Sequence, residues 1–130
     1  MEKIMDVDNE ELSCLMESGY LNLAKGRFKE AQDIFEGVEI LVPNSEVVQI
    51  ALGNLYFDQG KPKEALSYFQ KALSLNPEDG ISKVYVAKGL LANQKREEAV
   101  AKLKEVEKLD AQESAKNLAK SLLQAIGEVK

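Results

Sequence analysis

The chain has 130 residues, of which 45% are hydrophobic and 30% are charged, and its formal net charge is −5. This composition is ordinary for one soluble globular domain with its own core, and it argues against disorder. The acidic balance also argues against a nucleic-acid partner, because nucleic-acid binding usually requires a basic surface.

The absence of certain residue types limits the catalytic and metal-binding chemistry that the chain could perform. There is no histidine, the commonest general base and metal ligand, and Cys14 is the single cysteine, so no disulfide forms within the chain. We expect Cys14 to be an inert, partly buried thiol on a helix. Glu10-Glu11 and Glu97-Glu98 are expected at helix starts, where negative charge favours the helix dipole. We therefore predict no catalysis, no cofactor and no metal, with a carboxylate enzyme as the disfavoured alternative.

The sequence shows neither a secretory signal nor a membrane-spanning segment. Residues 1–6 lack the basic region and apolar stretch of a secretory signal. No run approaches the eighteen or more apolar residues that a membrane span requires. We expect a cytoplasmic protein without membrane insertion.

A repeat of 34 residues organises the chain. The pairs that stand at this spacing are Gly19 and Gly53, Gly26 and Gly60, Ala31 and Ala65, Phe35 and Phe69, and Pro43 and Pro77. Five matching pairs at one spacing indicate stacked structural units. The predicted units are residues 12–45, 46–79 and 80–111.

Each unit is predicted to be a pair of helices, as the second unit illustrates. Ser45 is a good N-cap for a helix that runs to about residue 59, and Gly60 permits the left-handed conformation that ends helices. Pro62 suits the first turn of the next helix. An apolar stripe follows at Ala65, Leu66, Phe69, Ala72 and Leu73. Asn76 and Pro77 end that helix.

The third unit is degenerate, and a further helix follows it. The unit keeps apolar residues at Ala87, Ala99, Leu103, Val106 and Ala111 but loses the glycine turn and the proline. Asp110 and Glu113 then have the spacing of a capping box. The next apolar stripe consists of Ala115, Leu118, Ala119, Leu122, Leu123 and Ile126. This predicts an amphipathic helix over 112–129 that covers the last repeat.

The second unit resembles the tetratricopeptide repeat (TPR) family. The matching residues are Leu52, Gly53, Tyr56, Ala65, Phe69, Ala72 and Pro77, while Gln49 replaces the family's aromatic residue at the fourth position. The first unit departs from the pattern at Ser18, Asn22 and Val38. The resemblance implies one all-α domain over 1–130, a right-handed superhelix of about three TPR helix pairs plus a C-terminal capping helix.

In such stacks the first helix of each unit lines a concave groove. Here the first helix of the second unit is apolar on two sides, whereas a surface helix needs only one apolar side. The predicted groove residues are Met16, Tyr20, Leu23, Val47, Ile50, Asn54, Phe57, Ile81, Val84, Tyr85, Lys88 and Leu91. Exposed apolar surface of this extent indicates a binding site for another protein.

The groove residues also indicate the kind of ligand. One subset of the family grips the carboxylate of chaperone tails with lysine, arginine and asparagine, but here Met16, Tyr20, Ala51, Ile81 and Tyr85 occupy those positions. We therefore expect a hydrophobic segment, extended or helical. Two alternatives stay open: the N-terminal residues could cover the groove, or a homodimer could.

The size, acidity, three repeats, apolar groove and single closing helix together resemble the TPR-type chaperones of bacterial type III secretion. That resemblance implies a chaperone that holds a hydrophobic translocator or needle subunit before export. The alternative is a general TPR adaptor or scaffold unrelated to secretion.

Overall fold

The computed structural model describes residues 8–109 and 112–127, and within those ranges it contains seven helices and no strand. The helices are α1 (Asn9–Ala24), α2 (Phe28–Leu41), α3 (Glu46–Asp58), α4 (Pro62–Leu75), α5 (Gly80–Ala92), α6 (Arg96–Glu107) and α7 (Glu113–Ala125). The prediction of an all-α chain is confirmed.

The helices pack as pairs that stack into two rows. The helix pairs are α1 with α2, α3 with α4, and α5 with α6, and α7 packs on both α5 and α6. Along one row α1 contacts α3, α3 contacts α5, and α5 contacts α7. Among the described residues, the backbones of α2, α4 and α6 do not approach one another closely. The stack therefore curves, with α1, α3, α5 and α7 on its inner, concave side.

The turn between the two helices of a unit is the same in all three units. Gly26 and Gly60 have φ of 75° and 76°, as the repeat predicts, and Gln94 takes the equivalent position with φ 66°. The residue after each of them donates its backbone N–H to the carbonyl five residues earlier, at 2.8, 2.9 and 2.9 Å. The third unit thus keeps this turn without glycine, although a side chain in the left-handed region costs roughly 1–2 kcal/mol.

Each of the first two units is centred on a phenylalanine that faces a glycine. Phe35 and Phe69 are fully buried. A Cβ atom on Gly53 would lie 2.5 Å from Phe69 Cδ1, and one on Gly19 would lie 2.8 Å from Phe35 Cδ1. Both glycines are therefore required by close helix approach rather than by backbone conformation.

In the third unit the two helices also approach closely, but different residues stand at the point of contact. Ala87 and Leu103 occupy the positions of the glycine and the phenylalanine, and both are fully buried in one cluster. A smaller aliphatic side chain on the second helix leaves room for a methyl group on the first.

Gln49, where the family has an aromatic residue, is fully buried. Its Nε2 donates a hydrogen bond of 2.6 Å to Glu39 Oε2. Because Glu39 lies on α2 and Gln49 on α3, this polar contact joins the first unit to the second.

The expected burial of Cys14 needs correction, whereas the expected N-cap position of Ser45 is confirmed. Cys14 is exposed rather than partly buried, because α1 is the first helix of the stack and, within residues 8–109 and 112–127, packs only against α2 and α3. Ser45 is the N-cap residue of α3, but its side chain makes no capping hydrogen bond. Side-chain caps are instead made by Asp8, which accepts from Glu11 N at 2.8 Å, and by Asp79.

The closing helix α7 is held at both ends by hydrogen bonds. At its start Gln112 Oε1 accepts from Gly80 N at 2.6 Å, and Gln112 Nε2 donates to the Glu78 carbonyl at 3.1 Å. At its end Arg96 Nη2 donates to the Ile126 carbonyl at 2.6 Å. The N-cap residue of α7 is Gln112, and Asp110 of the predicted capping box lies outside the described residues, as does Ala111.

A concave trough as the candidate protein-binding site

Three adjoining cavities run along the inner row of helices. The first, of about 640 Å³, lies between α1 and α3. The middle one, of about 270 Å³, is bounded by α1, α3 and α5, and the last, of about 380 Å³, lies between α5 and α7. Tyr20 lines the first and middle cavities, while Tyr85 and Lys88 line the middle and last. The three cavities therefore form one continuous surface, here named the concave trough.

Eight of the twelve residues assigned to a groove from the sequence line this trough. They are Met16, Tyr20, Leu23, Val47, Asn54, Val84, Tyr85 and Lys88. Leu23 and Val84 are largely buried and contribute little accessible surface. Val47 is the most open of the eight, with 57% of its surface exposed.

The other four residues lie elsewhere. Ile50 is buried in the core, because stacking between neighbouring first helices uses that side of α3. Phe57, Ile81 and Leu91 are half-buried and pack against the same core. Phe57 does not line a cavity of the trough, but its ring contacts a residue that does, since Lys88 Nζ lies 4.3 Å from the ring centre.

Sequence reasoning missed the contribution of α7, which it treated only as a cover. Leu118, Ser121, Leu122 and Ala125 line the last cavity, and Leu118 is 48% exposed. The signal for it in the sequence was the width of the apolar stripe, because only Ala115, Ala119 and Leu123 of α7 are fully buried, while Leu122 packs on the core and also lines the cavity. The first cavity likewise draws Asn9, Leu12, Ser13 and Glu17 from α1, and Val38, Val42, Ser45 and Val48 from the next two helices and their connection.

The aromatic side chains of the trough are fixed by contacts with the core. Tyr20 meets Phe35 edge-on with the ring centres 5.2 Å apart. Tyr85 packs on Phe69 with the ring centres 5.3 Å apart. These contacts hold both tyrosines in place before any ligand arrives, which lowers the entropy cost of binding.

The middle of the trough is more polar than its two ends. Tyr20 Oη accepts a hydrogen bond of 3.2 Å from Asn54 Nδ2. Burial raises the pKa of Tyr20 above its usual value, and the bond from Asn54 opposes that rise. Burial lowers the pKa of Lys88, and the charge of Asp58 opposes the shift.

The described residues contain neither a cluster of metal-ligating side chains nor a membrane-spanning helix. No group of three histidine, cysteine, aspartate or glutamate side chains is placed to hold a metal ion. None of the described helices has the length and apolar character needed to cross a bilayer.

The class of fold is established by comparison with known proteins. Residues 48–79 match the model of the tetratricopeptide repeat family, so the second unit is a tetratricopeptide repeat. The chain as a whole has the fold of a right-handed superhelix of three such helix pairs with a closing helix. The predicted resemblance to this family is confirmed.

Particular solved structures share this fold over nearly the whole chain. The type III secretion translocator chaperone SycD of Yersinia enterocolitica is 17% identical, with a TM-score of 0.73 and 91% of each chain covered. PcrH, solved with the chaperone binding region of PopB, is 18% identical, with a TM-score of 0.76 over 95% of this chain and 99% of that one. The first TPR domain of Spaghetti (RPAP3), bound to the HSP90 peptide SRMEEVD, is 26% identical, with a TM-score of 0.71 over 92% and 98%. No curated protein sequence matches the chain significantly.

Proposed function

We propose that the chain is a cytoplasmic chaperone without catalytic activity, and that it holds an apolar segment of a type III secretion export subunit in the concave trough. The observation that carries this proposal is the continuity of the trough across α1, α3, α5 and α7. Its first and last cavities offer exposed apolar side chains, Val47 and Leu118, at opposite ends of the stack. A surface of this form suits a polypeptide segment better than a compact small molecule.

The physical role of such a chaperone follows from the hydrophobic effect. An export subunit with exposed apolar segments would associate with itself in the cytoplasm. Covering those segments in the trough removes apolar area from water, which is worth roughly 25 cal/mol per Å² before the costs of ordering the ligand. The two core-anchored tyrosines keep those costs low.

The likeness to PcrH adds support, since PcrH was solved in complex with the chaperone binding region of PopB. The likeness to Spaghetti, solved with the HSP90 peptide SRMEEVD, raises one form of the general-adaptor alternative, in which the chain binds a peptide of that kind. The side chains argue against it. Met16, Tyr20, Ala51, Ile81 and Tyr85 stand where the tail-binding subset carries its lysine, arginine and asparagine residues.

The proposal is tested by placing a charge in the trough. We expect Val47→Asp to abolish the solubilising effect of the chain on its export subunit, because the carboxylate would have to be desolvated against an apolar ligand. Each candidate translocator or needle subunit from the same genome is expressed alone and with the chain, and its soluble fraction is measured. One subunit is expected to become soluble only with the wild-type chain.

Ile40→Asp is the matched control. Ile40 lies on α2, is 62% exposed and lines none of the three cavities of the trough, so this variant should behave like wild type. The free peptide SRMEEVD is the second control and should not bind. Equal loss with both variants, or tight binding of SRMEEVD with no effect on any export subunit, would contradict the proposal.

A further inference from the structure

Lys88 has an unusual position in the concave trough. It lies where the middle and last cavities meet, and among the described residues that line the trough it alone carries a positive charge. Its Nζ lies 4.3 Å from the ring centre of Phe57 and 5.6 Å from that of Tyr85. The ammonium group is thus held between two aromatic rings near the centre of the trough, whose other charged lining residues, Glu17 and Asp58, are acidic.

The ammonium group lacks a carboxylate partner within the described part of the chain. No ion pair within 4.0 Å involves Lys88, whereas Lys29, Lys83, Lys102 and Lys116 each have one. Ring faces attract a cation but do not accept the three hydrogen bonds that an ammonium group can donate. Burial has already removed part of its water, as the lowered pKa of Lys88 indicates. A ligand carboxylate would therefore meet a cation that is partly desolvated before binding.

A second donor lies in the same cavity. Because Tyr20 Oη accepts its hydrogen bond from Asn54, the hydroxyl proton of Tyr20 remains available to a ligand oxygen. Asp58, the acidic residue of the middle cavity, attracts Lys88 but makes no ion pair with it within 4.0 Å, and because Asp58 is exposed, water and salt weaken the effect of its charge on a ligand. The middle cavity can therefore receive an anionic group while the first and last cavities receive apolar ones.

We propose that Lys88 selects a partner segment with an aspartate or glutamate side chain in its middle and apolar side chains on both sides. This inference rests on the proposed function, since it assumes that the segment lies in the trough. It differs from the clamp for chaperone tails, because the carboxylate belongs to an internal side chain and Lys88 is not at a clamp position. A desolvated ion pair of this kind adds specificity as well as affinity.

The test uses a phage-displayed library of random twelve-residue peptides, selected on the immobilised full chain. Peptides enriched on the wild-type chain are expected to carry aspartate or glutamate between apolar residues. On Lys88→Met the acidic preference should disappear while the apolar preference remains, and on Lys88→Arg it should persist. Lys120→Met, a change at an exposed lysine of α7 that does not line the trough, should leave both preferences intact.

The strongest peptide then supports a double-mutant cycle. Replacing its acidic residue with the corresponding amide should raise the Kd about tenfold on the wild-type chain and less than twofold on Lys88→Met. Apolar peptides without an acidic preference, or an acidic preference that survives Lys88→Met, would overturn the role of Lys88 and leave the proposed function standing. Peptides that bind Val47→Asp as well as they bind wild type would overturn the trough itself.

Discussion

Replacing Phe69 with alanine is expected to lower the free energy of unfolding by about 3–5 kcal/mol. The ring is fully buried and packs against Tyr85 of the next unit, so its removal opens a cavity at the junction of the second and third helix pairs. A domain of this size is typically stable by about 5–15 kcal/mol, so the loss is a large share of the total. Urea denaturation followed by circular dichroism measures the change.

Tyr68→Ala is the matched control for Phe69→Ala. Tyr68 is the preceding residue on α4, but it is half-buried and stacks on Tyr56 with the ring centres 5.3 Å apart. Loss of an aromatic pair of this kind costs about 0.5–1.5 kcal/mol beyond the area that it buries. A similar destabilisation by the two variants would contradict the central position of Phe69 in the core.

Gly53→Ala is expected to lower the free energy of unfolding by about 2 kcal/mol, although alanine favours helices. A methyl group there would lie within 3.0 Å of three carbon atoms of the fully buried Phe69 ring, so the ring or one of the two helices would have to shift. Overpacking of this kind lowers the free energy of unfolding by about 1–3 kcal/mol or more, whereas the higher helix propensity of alanine raises it by at most about 1 kcal/mol. Thermal and urea unfolding of the purified variant test the sign of the change.

Two further variants isolate the steric cause. Gly37→Ala lies within α2 with nothing within 4 Å of the new methyl group, so it should stabilise the chain by about 0.5–1 kcal/mol. Phe69→Leu, combined with Gly53→Ala, reproduces the pair Ala87 and Leu103 of the third unit and should recover part of the lost stability. If Gly53→Ala stabilised the chain as much as Gly37→Ala, the close approach of α3 and α4 would be refuted.

The helices and their turns could be predicted from the sequence because they depend on local chemistry repeated at a fixed interval. Glycine at residues 26 and 60 and proline at 62 fix where one helix ends and the next begins. The turn between α5 and α6 could not be predicted from such signals, since Gln94 adopts the left-handed conformation there and no glycine indicates it. There the tertiary packing of α5 on α6 overrides the local preference.

The candidate site was only partly predictable. Helical periodicity shows to which side of a helix a side chain points, but not whether a neighbouring helix covers that side chain. Val47 and Ile50 belong to one predicted stripe, yet Val47 is open to solvent while Ile50 is buried by stacking. The role of α7 was missed for a related reason. An apolar stripe such as that of Leu118 and Leu122 does not reveal whether it faces a core or lines a cavity.

Site-specific photo-crosslinking in the native cells tests most directly whether one export subunit occupies the concave trough. The photoreactive residue p-benzoylphenylalanine replaces Val47 in one strain and Ile40 in another. We predict a crosslink to a single apolar secreted subunit from position 47 and none from position 40. Crosslinks to that subunit from position 40 alone, or to a varied set of cytoplasmic proteins from position 47, would contradict the account.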